Sequence, residues 1–251
     1  MNKYLQVAIS ISVVVCQLNA NAQKYSATEV QYSYRQVIKQ ETSDSAILNF
    51  LKPYRDSMQK AMSKVIGFAT VTLYQKQPEC PLGNFLADAM KTMGEKNFGK
   101  KIDVALVNYG GSRAYIPKGE ITLQNVFDLM PYDNLIILQE VKGNVLKKFL
   151  DYAVNKGSWS VSGATLQVKD RKADSIYING QLLDETATYI VANTDYVIRG
   201  GSDNQTLLKD IPQMSVGYLF RDAIAAYIEQ FTKQGKPVTA VIERRMVNVD
   251  Q

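Results

Sequence analysis

Apolar positions in this 251-residue chain fall at three- and four-residue steps in three stretches, and alternate or run together in the segments between. Ile47, Leu48, Leu51, Tyr54, Met58, Met62 and Val65 predict a long amphipathic helix, N-capped by Ser43 with Asp44 in the first turn. Pro53 predicts a kink or a restart within it. Gly67 closes it, and 68–74 alternates like a strand. Pro81 starts a second helix, with Leu82, Phe85, Leu86, Ala89 and Met93 on one face. Short apolar strands are predicted at 102–107 and 135–141, the latter after a turn at Pro131-Tyr132-Asp133-Asn134, and a short helix at 145–154. Strands follow at 161–168, 175–178 and 189–193, with Asn179-Gly180 as a type I′ hairpin turn. A third helix runs from about 216 to 232, turning Leu219, Ala223, Ala226, Tyr227 and Phe231 inward, until Lys233 and Gly235 stop it. A last strand is predicted over 238–247. Helices and strands are interspersed, but several strands adjoin without a helix between them. The pattern predicts an α+β fold, with mixed β-sheets covered by helices, rather than a regular βαβ array.

Hydrophobic residues at 46% and charged residues at 21% fit an ordinary globular protein with an ample core. The net charge of +5 is spread without a basic run or a basic helix face, which argues against nucleic-acid binding. Lys3, the apolar stretch 5–18 and Ala20-Asn21-Ala22 read as a signal peptide over 1–22, cleaved before Gln23. This predicts an exported protein, periplasmic or secreted. The competing reading, a lipoprotein anchored through Cys16, has Val14 and Val15 against it. No later stretch approaches about 18 continuous apolar residues, so no transmembrane segment is expected. Residues 23–42 read as an incoming strand or linker, and 43–251 as one domain. After cleavage only Cys80 remains. It has no internal disulfide partner and suits a small packing residue where a helix opens.

The chain contains no histidine. Ser-His-Asp and Cys-His nucleophile activation are thereby excluded, and a zinc site of the usual imidazole or thiolate type has no ligands. Acidic residues are scattered singly, and no Gly-x-x-x-x-Gly-Lys-Ser/Thr or Gly-x-Gly-x-x-Gly motif occurs. No metal ligand and no catalytic residue is assigned in this chain.

Recognition chemistry is better represented. The strand ending at Asn108 runs into Tyr109-Gly110-Gly111-Ser112-Arg113, and the strand ending at Asn193 runs through Tyr196 into Arg199-Gly200-Gly201-Ser202-Asp203. Paired glycines let backbone N–H groups approach a ligand, and an arginine forks onto phosphate or carboxylate. Tyr132 and Tyr196 could sandwich a flat heterocycle while Asn134 reads its edge. On the residues alone this is a candidate planar-ligand site, and a tight turn with a solvated arginine stands beside it as the plainer reading.

The succession 82–90 (LGNFLADAM), 104–122 (VALVNYGGSRAYIPKGEIT), 126–134 (VFDLMPYDN), 161–168 (VSGATLQV), 178–196 (INGQLLDETATYIVANTDY) and 199–203 (RGGSD) resembles the C-terminal, nucleotide-recognition domain of the 5′-nucleotidase family. The likeness covers about 43–251. It implies an α+β domain that binds the nucleoside part of a nucleotide. Tyr132 and Tyr196 would stack on the two faces of the base, Asn134 would contact the base, and Arg113 would reach the phosphate or ribose side. A Gly-Gly-Asp turn, matching Gly200, Gly201, Ser202 and Asp203, would hold the ribose hydroxyls.

Several positions depart from the family pattern. The carboxylate of the last turn falls one residue late, at Asp203, which leaves open whether Ser202 or Asp203 faces the ribose. Tyr109 replaces a glycine before Arg113. The arginines expected near 82–84 are absent, Asn84 standing there with Lys76 as the nearby base. The family's histidine- and aspartate-rich metallophosphatase domain has no counterpart. The resemblance therefore implies the recognition component of an exported 5′-nucleotidase system. A nucleotide or nucleoside is the ligand, a separately encoded metallophosphatase is the partner, and divalent metals are expected only in that partner. A stand-alone nucleoside- or nucleotide-binding protein, and a domain that keeps the fold for structure or adhesion without a ligand, are the alternatives.

Overall fold

The computed structural model describes residues 31–36, 44–157, 159–201 and 207–250. The signal-peptide segment, Ser43, Ser202 and Asp203 lie outside the described residues. Of the predicted incoming segment, 31–36 are described; they are exposed and form neither helix nor strand, so no strand is found there. The chain divides into two compact units, Met1–Leu48 and Asn49–Gln251.

The first helix, α1 (Ser45–Met62), is capped by Asp44, whose Oδ1 accepts from the N–H groups of Ala46 and Ile47 at 2.8 and 3.3 Å. Pro53 neither breaks it nor makes it restart. The predicted periodicity holds as far as Met62, but Val65 and Gly67, read as the end of the helix, belong to the strand that follows. No residue of α1 is buried; Ile47, Leu51, Tyr54 and Met58 are all exposed. The alternating segment expected at 68–74 pairs earlier, as β1 (Val65–Ala69) against β3 (Gly119–Thr122), leaving only a bridge at Leu73.

The second helix, α2 (Pro81–Phe98), starts where Pro81 predicts and is capped by the Cys80 sulfur, which accepts from Gly83 N–H at 3.2 Å. The buried thiol fills the packing role expected of it. A short helix that the pattern did not predict, α3 (Leu123–Leu129), follows β3. Its capping box pairs Thr122 with Asn125, where the usual signature ends in Glu or Gln.

A five-stranded sheet forms the centre, ordered β10-β4-β9-β2-β5, with β2 Val104–Asn108, β4 Ile136–Lys142, β5 Trp159–Ser162, β9 Thr188–Thr194 and β10 Gln213–Met214. β2 and β9 are parallel, whereas β4 runs antiparallel to β9 and β5 antiparallel to β2. Every residue of β2 is buried, because both faces are covered. Ala105 and Val107 join the core beneath α2 and α6 (Phe220–Lys233). Val104 and Leu106 join a second core with α4 (Gly143–Lys156), Phe149 and Trp159.

A second sheet, β11-β6-β7-β8, uses β6 Ala164–Lys169, β7 Lys172–Ile178, β8 Gln181–Leu182 and β11 Met246–Asn248. The Asn179-Gly180 hairpin forms as predicted, with φ of 51° and 81°. The single strand predicted at 161–168 is instead β5 and β6, one in each sheet, divided at Gly163 (φ 82°). The long closing strand predicted at 238–247 shrinks to a bridge at Val238 and to β11. Between them side chains satisfy the backbone: Glu79 accepts from Glu243 N–H at 2.7 Å, and Asn84 donates to the Val241 carbonyl at 2.9 Å. The third long helix also starts later than predicted, at Phe220 rather than 216.

Candidate functional site

Because β2 and β9 run parallel and β4 runs against them, the loops after β2, before β4 and after β9 emerge at one end of the central sheet. Those loops carry Arg113, then Tyr132 and Asn134, then Tyr196, Gly200 and Gly201. The topology thus gathers residues more than 80 positions apart into one neighbourhood.

Arg113 donates its backbone N–H to the Leu129 carbonyl at 2.9 Å. Its guanidinium carbon lies 5.4 Å from the centre of the Tyr132 ring, within cation–π range, and the side chain is exposed. Tyr132 and Tyr196 keep 42% and 49% of their surface exposed, which leaves ring surface open for stacking. Asn134 is half-buried, its carbonyl accepting from Phe220 N–H at 2.8 Å.

The tyrosine-bearing loops are joined directly. Asp195 N–H donates to the Leu135 carbonyl, and Leu135 N–H donates to Asp195 Oδ1, both at 3.0 Å. Tyr196 belongs to a single helical turn, α5 (Asp195–Ile198), whose N-cap Thr194 accepts from Val197 N–H at 3.4 Å. Gly201 lies against the Tyr196 ring so closely that a Cβ there would sit 2.5 Å from Cε1 and Cζ. Gly200 adopts φ 95°, open to glycine and strained for other residues. Arg199, the cation of the second turn, is engaged with Asp195 at 3.6 Å.

Asn84 is buried, and its amide donates to Glu79 Oε1 at 2.8 Å and to the Val241 carbonyl at 2.9 Å, so it ties α2 to the C-terminal segment.

Sequence reasoning missed several groups here. Asn108, 5% exposed, ends β2 with its amide oxygen beside Gly111. Asp195 ties the loops together. Arg221 at the start of α6 is buried and bonded to the Tyr132 loop. Among the described residues the buried side-chain polar atoms without a partner are Ser112 Oγ, Asn193 Nδ2 and Arg221 Nε. Each belongs to a segment that builds this end of the sheet. The readable signal for Arg221 was a lone arginine in the apolar start of a helix.

Among the described residues, no group of three or more His, Cys, Asp or Glu side chains is placed to hold a metal. No helix there is long and apolar enough to cross a membrane.

Comparison with known proteins places this geometry in context. Residues 61–210 match the family model described as 5′-nucleotidase, C-terminal domain. Endonuclease YhcR of Bacillus subtilis is 28% identical over 180 residues, which is 68% of this chain and 14% of that protein. A 5′-nucleotidase of Vibrio cholerae is 26% identical over 200 residues, 74% of this chain and 34% of that protein. The crystal structure of a 5′-nucleotidase precursor from Thermus thermophilus superimposes with a TM-score of 0.70 at 26% identity, over 82% of this chain and 43% of that one. The chain therefore spans well under half the length of these relatives.

Proposed function

We propose, from the premise that the chain belongs to the 5′-nucleotidase C-terminal domain family, that it is the nucleotide-recognition component of an exported 5′-nucleotidase system. In this reading Tyr132 and Tyr196 hold the base between them, Asn134 reads its edge, and Arg113 reaches toward phosphate or ribose. The turn beginning at Gly200-Gly201 faces the sugar. A separately encoded metallophosphatase supplies the metals and the attacking water, a workable division because metal activation and base stacking are independent tasks.

The observation that carries the reading is the pair of half-exposed tyrosines on two loops tied by reciprocal hydrogen bonds, with a guanidinium over one ring. Calorimetric titration with AMP and adenosine tests it. Stacking contributes roughly 1–3 kcal/mol per base, so Tyr132→Ala and Tyr196→Ala should each reduce affinity about 5- to 150-fold. Unchanged affinity in both variants overturns the site assignment. For the partnership, AMP hydrolysis is assayed with a candidate exported metallophosphatase, with and without this chain. No complex and no gain in turnover removes that half of the proposal. Tight AMP binding by the lone chain with no such gain would favour a stand-alone binding protein.

A further inference from the structure

Arg221 is the second residue of α6 and 8% exposed. Nothing about forming that helix calls for it. A cation in the first turn opposes the helix dipole, and burying a guanidinium is costly unless its donors are met. The neighbouring Ala223, Ile224 and Ile228 already build the core.

Among the described residues, the partners of the Arg221 side chain lie in one short stretch of the chain. Nη1 reaches the carbonyls of Met130 and Tyr132, both at 3.4 Å, and Nη2 reaches Asp133 Oδ1 at 2.5 Å. The guanidinium carbon is 4.2 Å from the centre of the Phe127 ring. The adjoining backbone continues the lacing: Phe220 N–H to the Asn134 carbonyl at 2.8 Å, Ile136 N–H to the Tyr218 carbonyl at 2.9 Å, and a bridge between Leu135 and Leu219. The loop carrying Tyr132 and Asn134 is thus fastened from 130 to 136 by residues 218–221.

We propose that Arg221 is a positioning residue that sets the Tyr132 ring, and with it the aperture of the ligand clamp. This rests on the nucleotide-clamp reading above. Only a planar fork can span two carbonyls and a carboxylate while lying over a phenyl ring, so lysine is a poor substitute. Arg221 acts through the loop backbone and through Asp133, not on the ligand.

The test is a double-mutant cycle on the full chain, with AMP as the probe and calorimetry as the readout. Arg221→Met should lower AMP affinity about tenfold, roughly the loss of one stacked face, and should cost less than about twofold in a Tyr132→Ala background. Arg221→Lys should fall between wild type and Arg221→Met. Equal losses in both backgrounds, or no loss in either, overturn the proposal. Amide exchange of 130–136 provides the second measurement, on the folded fraction of either Arg221 variant. It should rise at least about tenfold while β9 exchange is unchanged; unchanged exchange in the loop also overturns it. The clamp reading is judged separately, by Tyr132→Ala alone. If that substitution leaves AMP affinity intact, the clamp is wrong, and loop exchange still decides whether Arg221 positions the loop.

Discussion

Replacing Arg245 with methionine keeps an unbranched, apolar stem and removes the guanidinium with its charge. Arg245 forks onto both oxygens of Asp88, at 2.8 and 2.7 Å. It also donates to Glu243 Oε2 through Nε and Nη2, at 2.9 and 2.8 Å, and to the Val161 carbonyl at 3.0 Å. Ser162 Oγ completes the cluster, 2.6 Å from Asp88 Oδ1. One side chain thereby joins α2, β5 and the C-terminal segment. Burial pushes the guanidinium pKa down, but Asp88 and Glu243 outweigh it and raise it above its ordinary value, so the cation persists at any working pH. Removing one side of a buried pair costs about 3–5 kcal/mol, mostly through the charge left behind. Here the Asp88 side chain is 28% exposed and that of Glu243 51%, so both carboxylates recover water. The expected loss is about 2–3 kcal/mol. At roughly 2–4 °C per kcal/mol for a domain of this size, Tm should drop by about 4–12 °C. Thermal unfolding by circular dichroism measures this, with Asp88→Asn and the double variant completing a cycle. Asp88→Asn should cost little more once Arg245 is gone. A Tm drop under about 2 °C, or fully additive losses, would refute the claim that this pair fastens the C-terminal segment.

Gly201→Ala would put a Cβ 2.5 Å from two Tyr196 ring carbons and from the Tyr196 carbonyl oxygen, against an ordinary contact of about 3.5–4.0 Å. Both the ring and the backbone carbonyl must give way, so AMP affinity should fall roughly 5- to 150-fold and Tm should fall with it; full affinity would show that Gly201 does not seat the ring. Glu95 is governed by opposing effects. Burial raises its pKa, but the hydrogen bonds from Lys91 and from Ile102 N–H, with the Lys91 and Lys101 charges, bring it below its ordinary value of 4.5. Its stabilisation is therefore present above pH 4.5 and is lost as pH falls through the lower folded-state value. Glu95→Gln should flatten the acid limb of a stability-versus-pH curve in that range, and an unchanged limb would assign the acid sensitivity elsewhere.

What the sequence revealed depended on whether a residue's role is set by its neighbours in the chain or by distant ones. Pro81, Leu82, Phe85 and Leu86 announce a helix locally, and Asn179-Gly180 announces a hairpin; both are where expected. Arg113, Tyr132, Asn134 and Tyr196 were readable as a group through their order along the chain and a family likeness, and the sheet topology brings their loops to one end. The roles of Arg221 and Asp195 were not readable beyond the oddity of a lone arginine in an apolar helix start, because each matters through partners some 60 to 90 positions away. The closing strand failed for the same reason. Glu79 and Asn84 take the Glu243 and Val241 backbone groups that a neighbouring strand would have used. For α1 the periodicity was correct and its consequence was not, since an apolar stripe predicts a helix without saying what covers it.

The two hydrogen bonds exchanged by Leu135 and Asp195 bear on how a ligand would be held. The loops they join spring from β4 and β9, paired continuously from Ile136–Thr194 to Lys142–Thr188. No hinge separates β4 from β9, so the bases of the two loops cannot part without unzipping a sheet. Any adjustment of the proposed clamp therefore falls to the stretch before β4 that Arg221 fastens, and a ligand would meet one jaw built on the sheet and one whose setting hangs on a single side chain.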